Sequence, residues 1–157
     1  MSDKPEFDQQ AAHKFFSAYC FNKAWDLIDK PDRSPQDDED MLRLNQASHW
    51  HWTQREDYTA KNASIGYWQT SRIYALLGNA EEARRYGQLC LRASQEQGVR
   101  PFYMAYAYEA LARAEALAGD EKMMERYKRA AREAAEKDSD ADDRKVVLDD
   151  LETISIT

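Results

Sequence analysis

The sequence predicts an all-α fold of paired helices, and three observations carry that prediction. Apolar residues recur at three-to-four-residue spacing along most of the chain. Only 5 Gly and 4 Pro occur in 157 residues, too few for the turns of an all-β fold. Most of them sit where a helix should stop or start. The pattern also repeats: slid by 41 positions, residues 67–93 meet 108–134 with eight identities in 27 positions, pairing Tyr67 with Tyr108, Arg72 with Arg113, Ala75 with Ala116, Leu76 with Leu117, Gly78 with Gly119, Arg85 with Arg126, Tyr86 with Tyr127 and Ala93 with Ala134. A fixed period in the range of about 20–50 residues is the signature of a helical repeat.

Seven helices follow in order. Asp8 caps a first helix to about Asp29, with Phe15, Phe16, Tyr19, Ala24, Trp25 and Ile28 on its apolar rows. Ser34-Pro35-Gln36-Asp37 supplies a hydroxyl cap, a proline at the first helical position and an acid three residues after the cap, opening a second helix to about Gln54. The third runs from about Thr59 to Leu77 and stops at Gly78; Asn79 caps the fourth, which reaches about Gln97 before Gly98. Pro101 opens the fifth to Ala118, Gly119 stops it, and Asp120 caps the sixth to about Lys137. The seventh spans about Ala141 to Thr153, with Val147, Leu148, Leu151 and Ile154 assigned to one face. The expected organisation is a single domain over 1–157: hairpins at 8–54, 59–98 and 101–137, and a terminal capping helix at 141–154.

Composition narrows the function classes. A hydrophobic fraction of 43% supports a real core. The mean hydropathy of -0.88 comes with no uncharged apolar run near the roughly 18 residues of a membrane span. Met1-Ser2-Asp3-Lys4-Pro5-Glu6 has no apolar stretch after a basic one, so a cytoplasmic location is the expectation. Cys20 and Cys90 form no CxxC pair. The net charge of -7 is uneven: 7 basic and 12 acidic groups in 1–60, 13 and 10 in 61–137, and 2 and 7 in 138–157. The middle is therefore net +3 between two ends of net -5. That distribution opposes general nucleic-acid binding and permits a local anion site.

At Tyr67-x2-Thr70-Ser71-x2-Tyr74-x3-Gly78-x4-Ala83 the chain resembles a tetratricopeptide repeat, and Tyr108-x2-Leu111-Ala112-x2-Glu115-x3-Gly119 resembles it less closely. Gly87 stands where that family has an aromatic, Met124 where it has Ala, and the period is 41 rather than about 34, the seven added residues equalling about two helical turns. The runs Ala24-Trp25-Asp26-Leu27 to Lys30-Pro31-Asp32-Arg33, Ser48-His49-Trp50-His51-Trp52 and Ser71-Arg72-Ile73-Tyr74-Ala75-Leu76-Leu77-Gly78 are also similar to a small group of uncharacterised bacterial proteins. The tetratricopeptide resemblance implies a right-handed α-solenoid of helical hairpins. It also implies a concave groove lined by Ile65, Trp68, Arg72 and Leu76 from one hairpin and Tyr106, Glu109, Arg113 and Leu117 from the next.

Within that groove the expected ligand-binding set is Trp68, Arg72, Tyr106, Glu109 and Arg113. Two guanidiniums one repeat apart, beside aromatics, suit a carboxylate, a phosphate or an acidic peptide. The competing reading pairs Arg72 and Arg113 with Glu109, Glu115 or an acid of a neighbouring helix. His49 and His51 lie roughly 200° apart around a helix and do not share an ion; His13 joins either only through tertiary folding. Asp138-Ser139-Asp140-Ala141-Asp142-Asp143 imitates a calcium loop, but Asp143 replaces its Gly and Asp149 its closing Glu, so helix capping is the expected role. No catalytic constellation emerges, and no metal or cofactor is expected. The sequence thus points to a non-catalytic protein or peptide-interaction module, with no nucleic-acid or membrane partner. The alternatives are a self-associating scaffold built on the aromatic N-terminal pair, and a small-molecule enzyme or sensor with an aromatic pocket near His51 and Trp68.

Overall fold

Local capping chemistry sets where the helices begin in the computed structural model, which describes residues 6–156; the leader reading of Met1 to Pro5 lies outside the described residues. Asp8 accepts the Ala11 N–H and starts α1 (Gln9–Ile28). Ser34 and Asp37 exchange side-chain-to-backbone bonds of 3.1 and 2.9 Å, a complete capping box, at the head of α2 (Pro35–Thr53). Next come α3 (Ala60–Leu76), then α4 (Ala80–Ser94) capped by Asn79 and α5 (Pro101–Ala118) opened by its proline. Asp120 caps α6 (Glu121–Glu136), and Asp140 caps α7 (Ala141–Glu152). Among the described residues the fold is all-α, seven helices with no strand. None of these helices is long and apolar enough to cross a membrane.

Glycines close two of them in the same way. Gly78 and Gly119 sit at φ of +78° and +79°, a left-handed conformation that a Cβ would strain. The next residue in each case bonds back to the helix, Asn79 N–H to Tyr74 O at 2.9 Å and Asp120 N–H to Glu115 O at 3.0 Å. One boundary departs from expectation, because α4 stops at Ser94 rather than near Gln97. Ser94 is buried, with its Oγ 2.7 Å from Ser64 Oγ, 2.8 Å from Cys90 O and 3.2 Å from Tyr103 O. Those bonds tie the end of α4 to α3 and α5, and the chain turns away through Gly98 at φ +86°.

The chain divides into two compact units, residues up to Thr59 and residues from Ala60 onward. In the first, α1 packs on α2. Its buried side chains are small or medium: Ser17, Cys20, Ala24 and Ile28 from α1 and Met41, Asn45 and Ser48 from α2. In the second, α4 and α5 pack on each other and on α3 and α6 respectively, α3 also touches α5, and α7 lies against α5 and α6. Its core is rich in alanine (Ala105, Ala112, Ala116, Ala131, Ala134, Ala135), which lets helix axes approach, and is filled by Met124, Val147, Leu151 and Ile154. Leu148, expected on the same face of α7, is exposed. Spacings of four and three put 147, 151 and 154 in one row, and 148 is one step of about 100° away.

Positions 41 apart make matching contacts. Tyr67 meets Tyr86 and Tyr108 meets Tyr127, each pair with ring centroids 6.2 Å apart. The small residues at 71 and 112 are both buried; Ser71 Oγ donates to Ala83 O at 2.7 Å across the α3–α4 contact. Gly87 has a different reason to be small: a Cβ there would stand 2.8 Å from Leu111 Cδ2 and 3.1 Å from its Cγ. A glycine in mid-helix therefore marks the close approach of α4 to α5.

Candidate anion pocket and an aromatic histidine face

Arg113 is aimed by three elements. On its own helix its Nε donates to Glu109, one turn earlier. Its Nη2 donates to Thr153 Oγ1 at 2.8 Å and to Asp150 O at 3.2 Å, two groups at the end of α7. Glu109 is buried, and its second oxygen accepts the Trp68 indole N–H at 2.9 Å, from α3. Trp68 in turn meets Tyr106 edge to face at 5.6 Å, and the Tyr106 hydroxyl donates to Asp150 Oδ2 at 2.6 Å. Burial, reinforced by the Asp150 carboxylate, raises the Tyr106 pKa and keeps the phenol protonated as that donor. Four of the five sequence-proposed site residues are thus joined in one network, and the internal pairing weighed against ligand contact is present for Arg113 with Glu109.

Arg72 and Arg113 line one surface cavity of about 190 Å³. Ala75, Leu76, Ala116, Leu117 and Ile154 form its apolar wall, and Thr153 and Ser155 add hydroxyl-bearing residues. Trp68, Tyr106 and Glu109 are not among the residues that line it. Glu109 holds Arg113 directly, and Trp68 and Tyr106 reach it only through their bonds to Glu109 and Asp150. Glu115 belongs to a different pair: it is buried and takes Arg84 from α4 in a two-bond fork of 2.6 and 2.9 Å. Sequence reasoning missed Asp150, Thr153, Ile154 and Ser155, which approach α5 through a contact some 40 residues distant that no local pattern encodes.

The first unit carries a different surface. Phe15, Phe16, Tyr19 and Trp50 are 59%, 43%, 45% and 57% exposed. Phe15 stacks on Tyr19 at 5.4 Å and meets Phe16 at 5.1 Å; Phe16 stacks on His51 at 5.4 Å. His13 and His51, from α1 and α2, place their Nδ1 atoms 2.8 Å apart. Desolvation and the neighbouring His13 lower the His51 pKa. His49 is only partly buried in surface terms, yet its surroundings desolvate it enough to lower its pKa as well.

The acidic run before α7 is occupied internally. Asp140 accepts the N–H groups of Asp142 and Asp143, while Asp138 accepts Arg100 at 2.6 Å and the Phe102 and Asp140 N–H groups at 3.1 and 3.0 Å. Among the described residues no three His, Cys, Asp or Glu converge as a metal site. Compared with protein-family models, curated proteins and solved structures, the chain gives no significant match.

Proposed function

We propose that the chain is a non-catalytic interaction module, a right-handed solenoid of long tetratricopeptide-like hairpins, and that its second unit binds an acidic or carboxylate-bearing segment of a protein partner. One observation carries this reading: Arg72 and Arg113, 41 positions apart, line the same apolar-walled cavity. The matched tyrosine pairs and glycine stops at that offset support the repeat part of it. At about 190 Å³ the cavity is smaller than the roughly 300–1,000 Å³ of drug-sized ligand sites and suits a single acidic side chain or a chain-terminal carboxylate. The apolar wall lowers the local dielectric, which strengthens a charge-assisted bond from either guanidinium. Trp68, Tyr106 and Glu109 are positioning residues in this scheme.

The test is fluorescence anisotropy with labelled peptides ending in Asp or Glu, set against their amidated or Asn and Gln counterparts. Arg72→Ala is expected to weaken binding by about tenfold, the worth of one charge-assisted hydrogen bond of about 1.5 kcal/mol. Arg113→Lys, which keeps the charge but loses the fork, is expected to weaken it less. Arg113→Ala is the poorer probe, because it strands the buried Glu109 carboxylate and costs about 3–5 kcal/mol of stability. Unchanged affinity in Arg72→Ala, or no preference for acidic ends, refutes the reading.

A second reading, a self-associating scaffold, is favoured by the exposed Phe15, Phe16, Tyr19 and Trp50. Sedimentation velocity of wild type and of a Phe15→Glu, Trp50→Glu variant decides it: a concentration-dependent dimer lost in the variant supports self-association, and a wild-type monomer at all concentrations excludes it.

A further inference from the structure

His13 and His51 are 38 residues apart in sequence and come from different helices, yet their Nδ1 atoms face each other at 2.8 Å. Bonds between the helix regions flank them on both sides. Towards one end, Gln10 Nε2 donates to Gln54 O at 3.0 Å and Gln10 Oε1 accepts the Glu56 N–H at 3.2 Å. Towards the other, Ser48 Oγ donates to Ser17 O at 2.7 Å, while Arg55, from the turn that follows α2, reaches along the pair to donate from Nη1 to Ser17 Oγ at 3.0 Å. Aromatic rings hold the imidazole planes: Phe16 stacks on His51 at 5.4 Å, and Trp50 sets its edge against His13 at 5.5 Å and His51 at 5.0 Å. Backbone spacing is therefore set, and the two rings already face each other, before any ligand arrives, which lowers the ordering cost of binding one.

We propose that His13 and His51 chelate a divalent late transition ion, of the zinc or copper class, through their facing Nδ1 atoms. Imidazole nitrogen suits these ions. A tetrahedral ion with bonds of about 2.0–2.1 Å separates two ligand nitrogens by about 3.3 Å, so the pair opens by about half an ångström, a small side-chain rotation. Each neutral ring has one proton. Binding moves the proton now held between the two Nδ1 atoms to Nε2 of its own ring, so both Nδ1 lone pairs face the ion and the neutral pair releases no proton. No third His, Cys, Asp or Glu joins the pair among the described residues. Water fills the other positions, making the site open and exchangeable rather than a closed structural one. The ion bridges α1 and α2, so it stabilises the first unit by mass action.

The full chain, tag-free and stripped with chelator, is titrated with Zn²⁺ by calorimetry, and its Cu²⁺ form is examined by electron paramagnetic resonance. The expected result is one ion per chain and nitrogen splittings from two imidazoles. His13→Ala and His51→Ala should each weaken Zn²⁺ by about tenfold or more, whereas His49→Gln should not, since His49 lies roughly 200° around the helix from His51. Zn²⁺ should raise the thermal midpoint of wild type more than that of His13→Ala at the same concentration. Wild-type affinity in either alanine variant, or a Cu²⁺ spectrum with fewer than two imidazole nitrogens, overturns the proposal. If a variant loses its helical circular dichroism, the nitrogen count on wild type decides alone. None of these readouts involves the arginine cavity, so the outcome is independent of peptide binding.

Discussion

Gly87 shows how much one side chain, or its absence, decides. In an exposed helix Gly→Ala gains up to about 1 kcal/mol of propensity, but here the added methyl stands 2.8 Å from the buried Leu111. Overpacking costs about 1–3 kcal/mol, so Gly87→Ala is expected to lose up to about 2 kcal/mol net after the propensity gain, read as a lower urea midpoint at unchanged slope. The sequence displayed the glycine as a departure from an aromatic position; the reason lay in Leu111, 24 residues on. Cys90 is a second case. It is fully buried beside Ser64 and Ser94, and burial pushes its thiol up to about 12, against which the serine hydrogen bonds act only weakly. Cys20 is also buried and its thiol pKa is raised for the same reason. Neither thiol is expected to react with iodoacetamide at pH 7–8 until denaturant unfolds the chain, because the thiolate is the nucleophile. Mass spectrometry of labelled native protein checks this, and rapid native labelling of Cys90 would contradict it.

Among elements, the turn between α6 and α7 is the one whose role its sequence half reveals. The acids at 138–143 read as caps, and Asp140 is one. Asp138 does something no local rule predicts: it gathers Arg100 and the Phe102 N–H at the start of α5, tying two helix starts together. The Arg100 hydrogen bond is the main cause that holds the Asp138 carboxyl below its usual range, with the backbone donors adding to it. A carboxyl with a depressed folded pKa binds fewer protons folded than unfolded at acid pH. Its contribution is therefore present above the ordinary carboxylate range and fades as pH falls through the folded value. The thermal midpoint of wild type should fall from about pH 5 downwards more steeply than that of Asp138→Asn, which starts lower at neutral pH and lacks this titration. Parallel curves for the two proteins would show that Asp138 is not responsible.

At the scale of the whole molecule the two units differ in what holds them. Residues from Ala60 onward enclose a core of their own, with Leu111, Met124, Val147, Leu151 and Ile154 buried among alanines. The first unit buries Ile28 and Met41 as its largest apolar side chains and leaves five aromatics exposed, Phe7, Phe15, Phe16, Tyr19 and Trp50. A fragment of residues 60–157 is accordingly expected to keep a cooperative thermal transition, and one of residues 1–59 to lose most of its helix, since a lone helix pair with so small a core is marginal; circular dichroism of both fragments tests the contrast. The sequence by itself determined the helices, because caps, prolines and glycine stops act within a few residues and their chemistry is local. It also exposed the offset of 41 at which Arg72 aligns with Arg113. Tertiary structure alone decided what those residues do. The bond from Trp68 to Glu109, the seating of Arg113 against Thr153, and the meeting of His13 with His51 each depend on contacts across 38 to 41 residues. Helical periodicity says which side of a helix is apolar, but not which helix will lie against it or which turn will face which.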